Sequence, residues 1–203
     1  MRAAFIAAAV AAVAALAGCD PEILSGAYYC GPQMSCPSGE VCNAGDGTCG
    51  RPELARPFTC DPGSEDAEPN DLPAAATPLS VSACPGISLD QLGCLPAAID
   101  VDWLAVTLPA ACAGAPLAVD VRYSVAFAPA VVDLMDAGGT TVLGTATPCN
   151  ITGGIGLNDA VCLEAAVPAS GTALIRIGLD PELDCDGACA FMHYTVTASA
   201  DGL

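Results

Sequence analysis

Hydrophobic and polar residues alternate with a period of two through much of the chain beyond residue 100. Leu117, Val119, Val121, Tyr123 and Val125 fall on one parity, and Ala118, Asp120, Arg122 and Ser124 on the other. Successive side chains of extended backbone point to opposite sides, so this pattern predicts a strand with one face in a core and one in water. Leu104, Val106 and Leu108 alternate in the same way with Trp103, Ala105 and Thr107. Further strands are predicted at 130–135, 140–144, 160–167, 172–179 and 191–199. Turn-formers separate them: Ala137-Gly138-Gly139, Gly153-Gly154, Ala169-Ser170-Gly171, and an acidic loop from Asp180 to Gly187. A long amphipathic helix appears nowhere after the first eighteen residues. Short strands punctuated by turns predict an all-β fold: an antiparallel β-sandwich, jelly-roll-like, over residues 66–200.

The residues ahead of the sandwich obey other rules. Residues 51–65 carry Pro52, Pro57 and Pro62 with little hydrophobic periodicity, and read as a proline-stiffened linker. Residues 30–50 hold Cys30, Cys36, Cys42 and Cys49, with a hairpin-turn signal at Asp46-Gly47. Their few apolar side chains cannot bury a core, so bridges worth roughly 2–4 kcal/mol each must order them. The segment reads as a small disulfide-stapled spacer, with a recognition knob as the alternative. Residues 19–29 are its tether.

The first residues supply an address. Met1-Arg2 precedes an apolar run from Ala3 to Ala15, shorter than the roughly 20 residues that span a bilayer. A short basic start, an apolar stretch and small residues at the cut predict a secretory signal over 1–18. Leu16-Ala17-Gly18-Cys19 resembles a bacterial lipobox, which implies cleavage before Cys19 and acylation of its thiol. The expected location is the cell envelope, lipid-anchored on the extracytoplasmic side, periplasmic or at the cell surface. Ordinary secretion, with Cys19 kept as a structural cysteine, is the alternative.

Composition narrows the partners. Five basic residues, all arginine, face 23 Asp and Glu, for a formal net charge of −18. Such a chain is repelled by nucleic acid and by anionic headgroups, so membrane contact is expected through the lipid anchor only. Of the 13 cysteines, setting Cys19 aside leaves an even set. The first four are joined by Cys60, Cys84, Cys94, Cys112, Cys149, Cys162, Cys185 and Cys189. Even numbers in an exported chain, without any C-x-x-C, read as disulfides rather than metal thiolates or catalytic thiols. Their pairing is not legible from spacing.

Glu68-Pro69-Asn70-Asp71, Ala74-Ala75-Ala76 with Leu79, Asp100-Val101-Asp102-Trp103-Leu104-Ala105-Val106, Val132-Asp133-Leu134-Met135-Asp136 with Gly138-Gly139, and Tyr194-Thr195-Val196 follow one another in order. This series resembles the bacterial pre-peptidase C-terminal domain, over roughly residues 64 to 199. The resemblance implies a β-sandwich of the kind appended to secreted proteases. It further implies, from the collagen-binding relatives, that the acidic segment and the Asp-x-Asp region ligate calcium. Eight cysteines and an inserted stretch at 145–160 depart from the family pattern.

The residues themselves support the same ion. Asp66, Glu68, Asn70 and Asp71 supply oxygens from one irregular segment, and Asp100 or Asp102 can close the shell from the next strand. Calcium takes six to eight such oxygens, and a divalent charge offsets the repulsion among them. The competing reading is that Asn70 and Asp71 cap a turn while Asp102 accepts from backbone amides. A second acidic group, Asp180, Glu182, Asp184 and Asp186, imitates the start of an EF-hand loop but has His193 where the closing Glu belongs; it reads as a solvated loop braced by Cys185 and Cys189. Asn150-Ile151-Thr152 spells a glycosylation sequon that carries no weight in a bacterium.

Catalytic signals are weak. His193 is the single histidine and shares parity with Thr195 and Thr197 on the expected solvent face. No G-x-S-x-G, H-E-x-x-H or strand-to-helix glycine loop occurs. Trp103 is expected to pack, and Arg122 and Arg176 to pair with surface acids. The function expected is therefore non-enzymatic: an envelope lipoprotein presenting a β-sandwich to an extracytoplasmic protein or polysaccharide. An accessory regulator or inhibitor of a secreted peptidase is the alternative, and a hydrolase with a cryptic carboxylate pair a weaker one.

Overall fold

The computed structural model describes residues 28–61, 68–86, 88, 90–112, 114–127, 129–150, 158–180 and 191–200. Cys19, Asp66, and the loop with Glu182, Asp184, Cys185, Asp186 and Cys189 lie outside them. Strands β1 (Val41–Asn43) and β2 (Thr48–Gly50) form a hairpin in the cysteine module. The others are β3 (Thr77–Ser80), β4 (Gln91–Leu95), β5 (Val101–Thr107), β6 (Pro116–Ser124), β7 (Ala130–Met135), β8 (Val142–Thr145), β9 (Thr147–Cys149), β10 (Asn158–Ala166), β11 (Thr172–Leu179) and β12 (Met192–Ser199). They build two five-stranded sheets, ordered β4-β12-β6-β10-β9 and β3-β5-β11-β7-β8. From β3 onward the chain stays within one sheet only at the β7–β8 and β9–β10 hairpins and otherwise crosses over at each step. This is a jelly-roll sandwich. One pairing departs from the antiparallel expectation: β3 runs parallel to β5 at the sheet edge.

The predicted parity is the observed one. Leu104 and Val106 of β5, Ile175 and Ile177 of β11, and Val132 and Leu134 of β7 are buried in one cluster with residues of the other sheet, among them Leu95, Val119, Val121 and Val196. Prolines sit where a missing N–H leaves no hole in a ladder: Pro78 and Pro148 on the edge strands β3 and β9, Pro116 as the first residue of β6. Trp103, on the opposite parity, packs with Met135 and Leu174 in a separate cluster. Both strand arginines pair with acids. Arg176 lies 3.2 Å from Asp133, and Arg122 lies 3.1 Å from Asp90 and 3.0 Å from Asp120. The β7–β8 turn closes on Asp136, whose Oδ1 accepts from the Thr140 and Thr141 amides at 2.8 and 3.1 Å.

Three strands escaped the sequence pattern. β4 is five residues long and carries Gly93, which breaks its alternation. The glycine has a reason: it pairs with Tyr194 of β12, and the tyrosine ring crosses it so closely that a Cβ there would collide with the ring. β3 and β9 are short and proline-bearing, and β9 falls inside the stretch that looked inserted.

Five disulfides join described residues. Cys30–Cys42 and Cys36–Cys49 staple the N-terminal module, Cys60–Cys94 ties the linker to β4, and Cys84–Cys112 and Cys149–Cys162 lie within the sandwich. The bridges mark an extracytoplasmic chain, because the cytosol keeps thiols reduced. The module does not stand apart as a spacer. Cys30 and Cys49 pack on Ala126, and the Met34 amide donates to the Ala126 carbonyl at 3.0 Å. The linker folds back as well: the Arg56 amide donates to Asn43 Oδ1 at 2.9 Å, and Phe58 stacks on Phe191 and lies tilted against His193, with centroids 4.5 and 4.4 Å apart. His193, expected to face solvent, is half-buried beneath Phe58.

Gly93→Ala is expected to destabilise the protein by about 1–3 kcal/mol, the scale of an overpacked core position. Urea unfolding monitored by far-ultraviolet circular dichroism measures it; an unchanged midpoint would show that the ring has room to move.

Candidate functional site

The site is assembled where segment 68–71 meets the start of β5. The Asn70 carbonyl accepts from the Trp103 amide at 3.1 Å, so the segment lies alongside β5 just ahead of the parallel strand β3. The Asn70 amide donates to Glu68 Oε2 at 3.0 Å, folding the glutamate over its own segment. Asn70 is fully buried, while Glu68 and Asp71 are exposed. From β5, Asp102 shares the parity of Leu104 and Val106 and therefore points into the sandwich, where it is fully buried. Tyr194 reaches it from the other sheet, its hydroxyl donating to Asp102 Oδ2 at 2.6 Å. Asp100, just before β5, is half-buried, and its Oδ1 accepts from the Val101 amide at 3.1 Å.

Carboxylate oxygens of Glu68, Asp100 and Asp102 lie within 4.8 Å of one another. Of the six residues singled out from the sequence, three, Glu68, Asp100 and Asp102, are brought together in this way; Asp71 contacts Asp100, and Asn70 is buried in the segment between Glu68 and Asp71. Asp66 falls outside the described residues. Asp102 makes a side-chain bond across the two sheets, to Tyr194.

Such a gathering of negative charge has a visible electrostatic consequence. Burial pushes the Asp100 carboxyl up to about 6, helped by its hydrogen-bond contact with the Asp71 carboxyl and by the charges of Glu68 and Asp71, while the Val101 amide opposes the rise. Two carboxyl groups in contact need a proton or a cation between them. Asp100 Oδ2 is buried with no hydrogen-bond donor. The donor set is oxygen throughout, the chemistry a hard cation such as calcium selects. The carboxylates of Glu68, Asp100 and Asp102 are close enough together to share such an ion.

No family model matches the sequence, and no curated protein matches it. Among solved structures, the fold is similar to the pre-peptidase C-terminal domain of a collagenase from Bacillus anthracis, at 10% identity and a TM-score of 0.39, over 61% of this chain and 94% of that one. It is also similar to PliG, a periplasmic inhibitor of g-type lysozyme from Aeromonas hydrophila, at 17% identity and a TM-score of 0.36, over 61% of this chain and 96% of that one.

Other residues singled out from the sequence lie elsewhere. Asp180 follows β11, and the remainder of its acidic group is outside the described residues. Trp103 is a packing residue on the outer face of the second sheet. Tyr194 is the member of the site that pattern reading missed, although a signal existed. It shares core parity with Met192 and Val196, and a tyrosine placed in a core needs a partner for its hydroxyl.

The pH dependence follows from Asp100. Its folded value, about 6, lies above the ordinary 3.8, so between these two values the folded protein binds more protons than the unfolded chain. Stability contributed by this group is therefore present below about 4 and lost as pH rises through 6. In chelator, the melting temperature is expected to fall across that window, and Asp100→Asn to flatten the profile and raise the melting temperature at pH 7. A wild-type profile matching that of Asp100→Asn would remove Asp100 as the titrating group.

Proposed function

We propose that this chain is a lipid-anchored, non-enzymatic envelope lipoprotein whose β-sandwich is a binding module braced by calcium. The observation that carries the reading is the approach of the Glu68, Asp100 and Asp102 carboxylate oxygens to within 4.8 Å of one another, with Asp71 against Asp100. These groups offer oxygen acceptors at the junction of an incoming segment with a sheet. An ion there would join segment 68–71 to β5 and bring both sheets, through Tyr194, into one unit. Its contribution would be charge neutralisation and structural bracing, with the sandwich left as a rigid platform for a partner. The anchor rests on Leu16-Ala17-Gly18-Cys19, and the disulfides agree with a chain matured outside the cytoplasm.

Three measurements test this. Millimolar calcium is expected to raise the melting temperature at pH 7 by several degrees over chelator, the size of a stabilisation of about 2–3 kcal/mol at saturation; equal melting temperatures end the calcium reading. Cys19→Ala is expected to abolish incorporation of labelled fatty acid and to release the protein into the soluble fraction. Retention in the membrane fraction without label would overturn lipid anchoring. The tagged, lipid-free mature chain is expected to bind isolated cell envelopes saturably, and a failure to bind would remove the binding-module role.

A further inference from the structure

A cleft of about 710 Å³ opens between the cysteine module and the outer face of the β4-β12-β6 sheet. Thr195, on the outer parity of β12, lines it, and so does the neighbouring Tyr194, whose hydroxyl reaches the acidic corner. Tyr29 and Asp46 of the module line it, together with Asp90, Leu92, Arg122 and Thr195 of the sandwich. The 44–47 turn of the module supplies the wall opposite the sheet.

We propose that this cleft is a binding site for a neutral saccharide. The inference rests on the binding-module reading and names the class of ligand. Three features carry it. First, the cleft has the volume of a small-ligand site, whereas a stable protein interface needs about 800 Å² from each partner. Second, its floor sets a donor beside an acceptor. Arg122 Nη2 lies 3.1 Å from Asp90 Oδ1 and 2.7 Å from Thr197 Oγ1, and the Thr197 hydroxyl donates to Asp90 at 2.7 Å. The Asp90 side chain is 58% exposed and that of Arg122 33%, so both still reach solvent. A vicinal diol both donates and accepts, and can satisfy guanidinium and carboxylate together, where an amine or a carboxylate satisfies one of them. Third, Tyr29 is 58% and Leu92 43% exposed. They offer apolar surface to the C–H face of a sugar ring beside polar groups for its hydroxyls. Asp46 and Asp90 outnumber Arg122 in the lining, so an anionic polymer is repelled.

The mature chain, run in native gels cast with neutral polysaccharides (a β-glucan, an α-glucan, a galactomannan), is expected to be retarded by at least one. Calorimetry with an oligosaccharide of that polymer is expected to show affinity falling roughly tenfold on Tyr29→Ala, the scale of one lost ring contact, and also falling on Asp90→Ala. The exposed Tyr29 makes its variant safe for folding, and an unchanged melting temperature checks this. Absence of retardation by every polymer, binding indifferent to both substitutions, or stronger binding of an arginine- and lysine-rich peptide than of any saccharide overturns the inference. Saturable binding to envelopes in the preceding assay would then still stand, so the two readings fail separately.

Discussion

The hydrogen bond from the Tyr194 hydroxyl to Asp102 Oδ2, 2.6 Å long, is the contact on which the arrangement of this molecule turns. It is made between the two sheets, in the core, and joins the sandwich layers through a charged group. A buried carboxylate without such a donor would carry a desolvation cost of several kcal/mol. The bond dictates its neighbours. Gly93 must be glycine so that the tyrosine ring can lie across β4, and Asp102 must take the inward parity of β5. With Asp102 fixed, Asp100 two residues earlier and the segment 68–71 beside it are brought to the same end of the sheet. The acidic corner is thus a product of sandwich geometry as much as of local sequence.

How much of this was legible in the chain differs from one element to the next, for physical reasons. The run from Leu117 to Val125 is long, half-buried and flanked by polar residues on one parity, so its strand could be read directly. Gln91–Leu95 could not, because its alternation is interrupted at Gly93 and the cause of that glycine sits a hundred residues away in Tyr194. Glu68, Asp100 and Asp102, which come within 4.8 Å of one another, stand in two acidic motifs that local sequence displays, whereas the partner of Asp102 depended on how the two sheets pack, which brings Tyr194 of β12 to β5. His193 illustrates the same limit. Its parity placed it correctly on the outer face of the sheet, but the linker folds back and covers it with Phe58, a long-range event that no local period encodes.

The cysteine module follows a similar logic. Its own sequence has too little apolar material for a core, and two disulfides hold its shape. Its position, however, is set by contacts to Ala126 and by the linker's return through Arg56 and Phe58. A segment that reads as a spacer thereby becomes one wall of a cleft. The module and the sheet together line one concave surface.

The Cys60–Cys94 bridge has a mechanical consequence. It closes a loop that contains residues 61–93, and Glu68, Asn70 and Asp71 lie inside that loop. A pull transmitted along the chain from its N-terminal side passes from Cys60 across the sulfur bridge to Cys94 and enters the sandwich at β4. The load bypasses the acidic segment entirely. The corner is held in a slack branch of the covalent network, able to keep its geometry while the strand beside it carries tension.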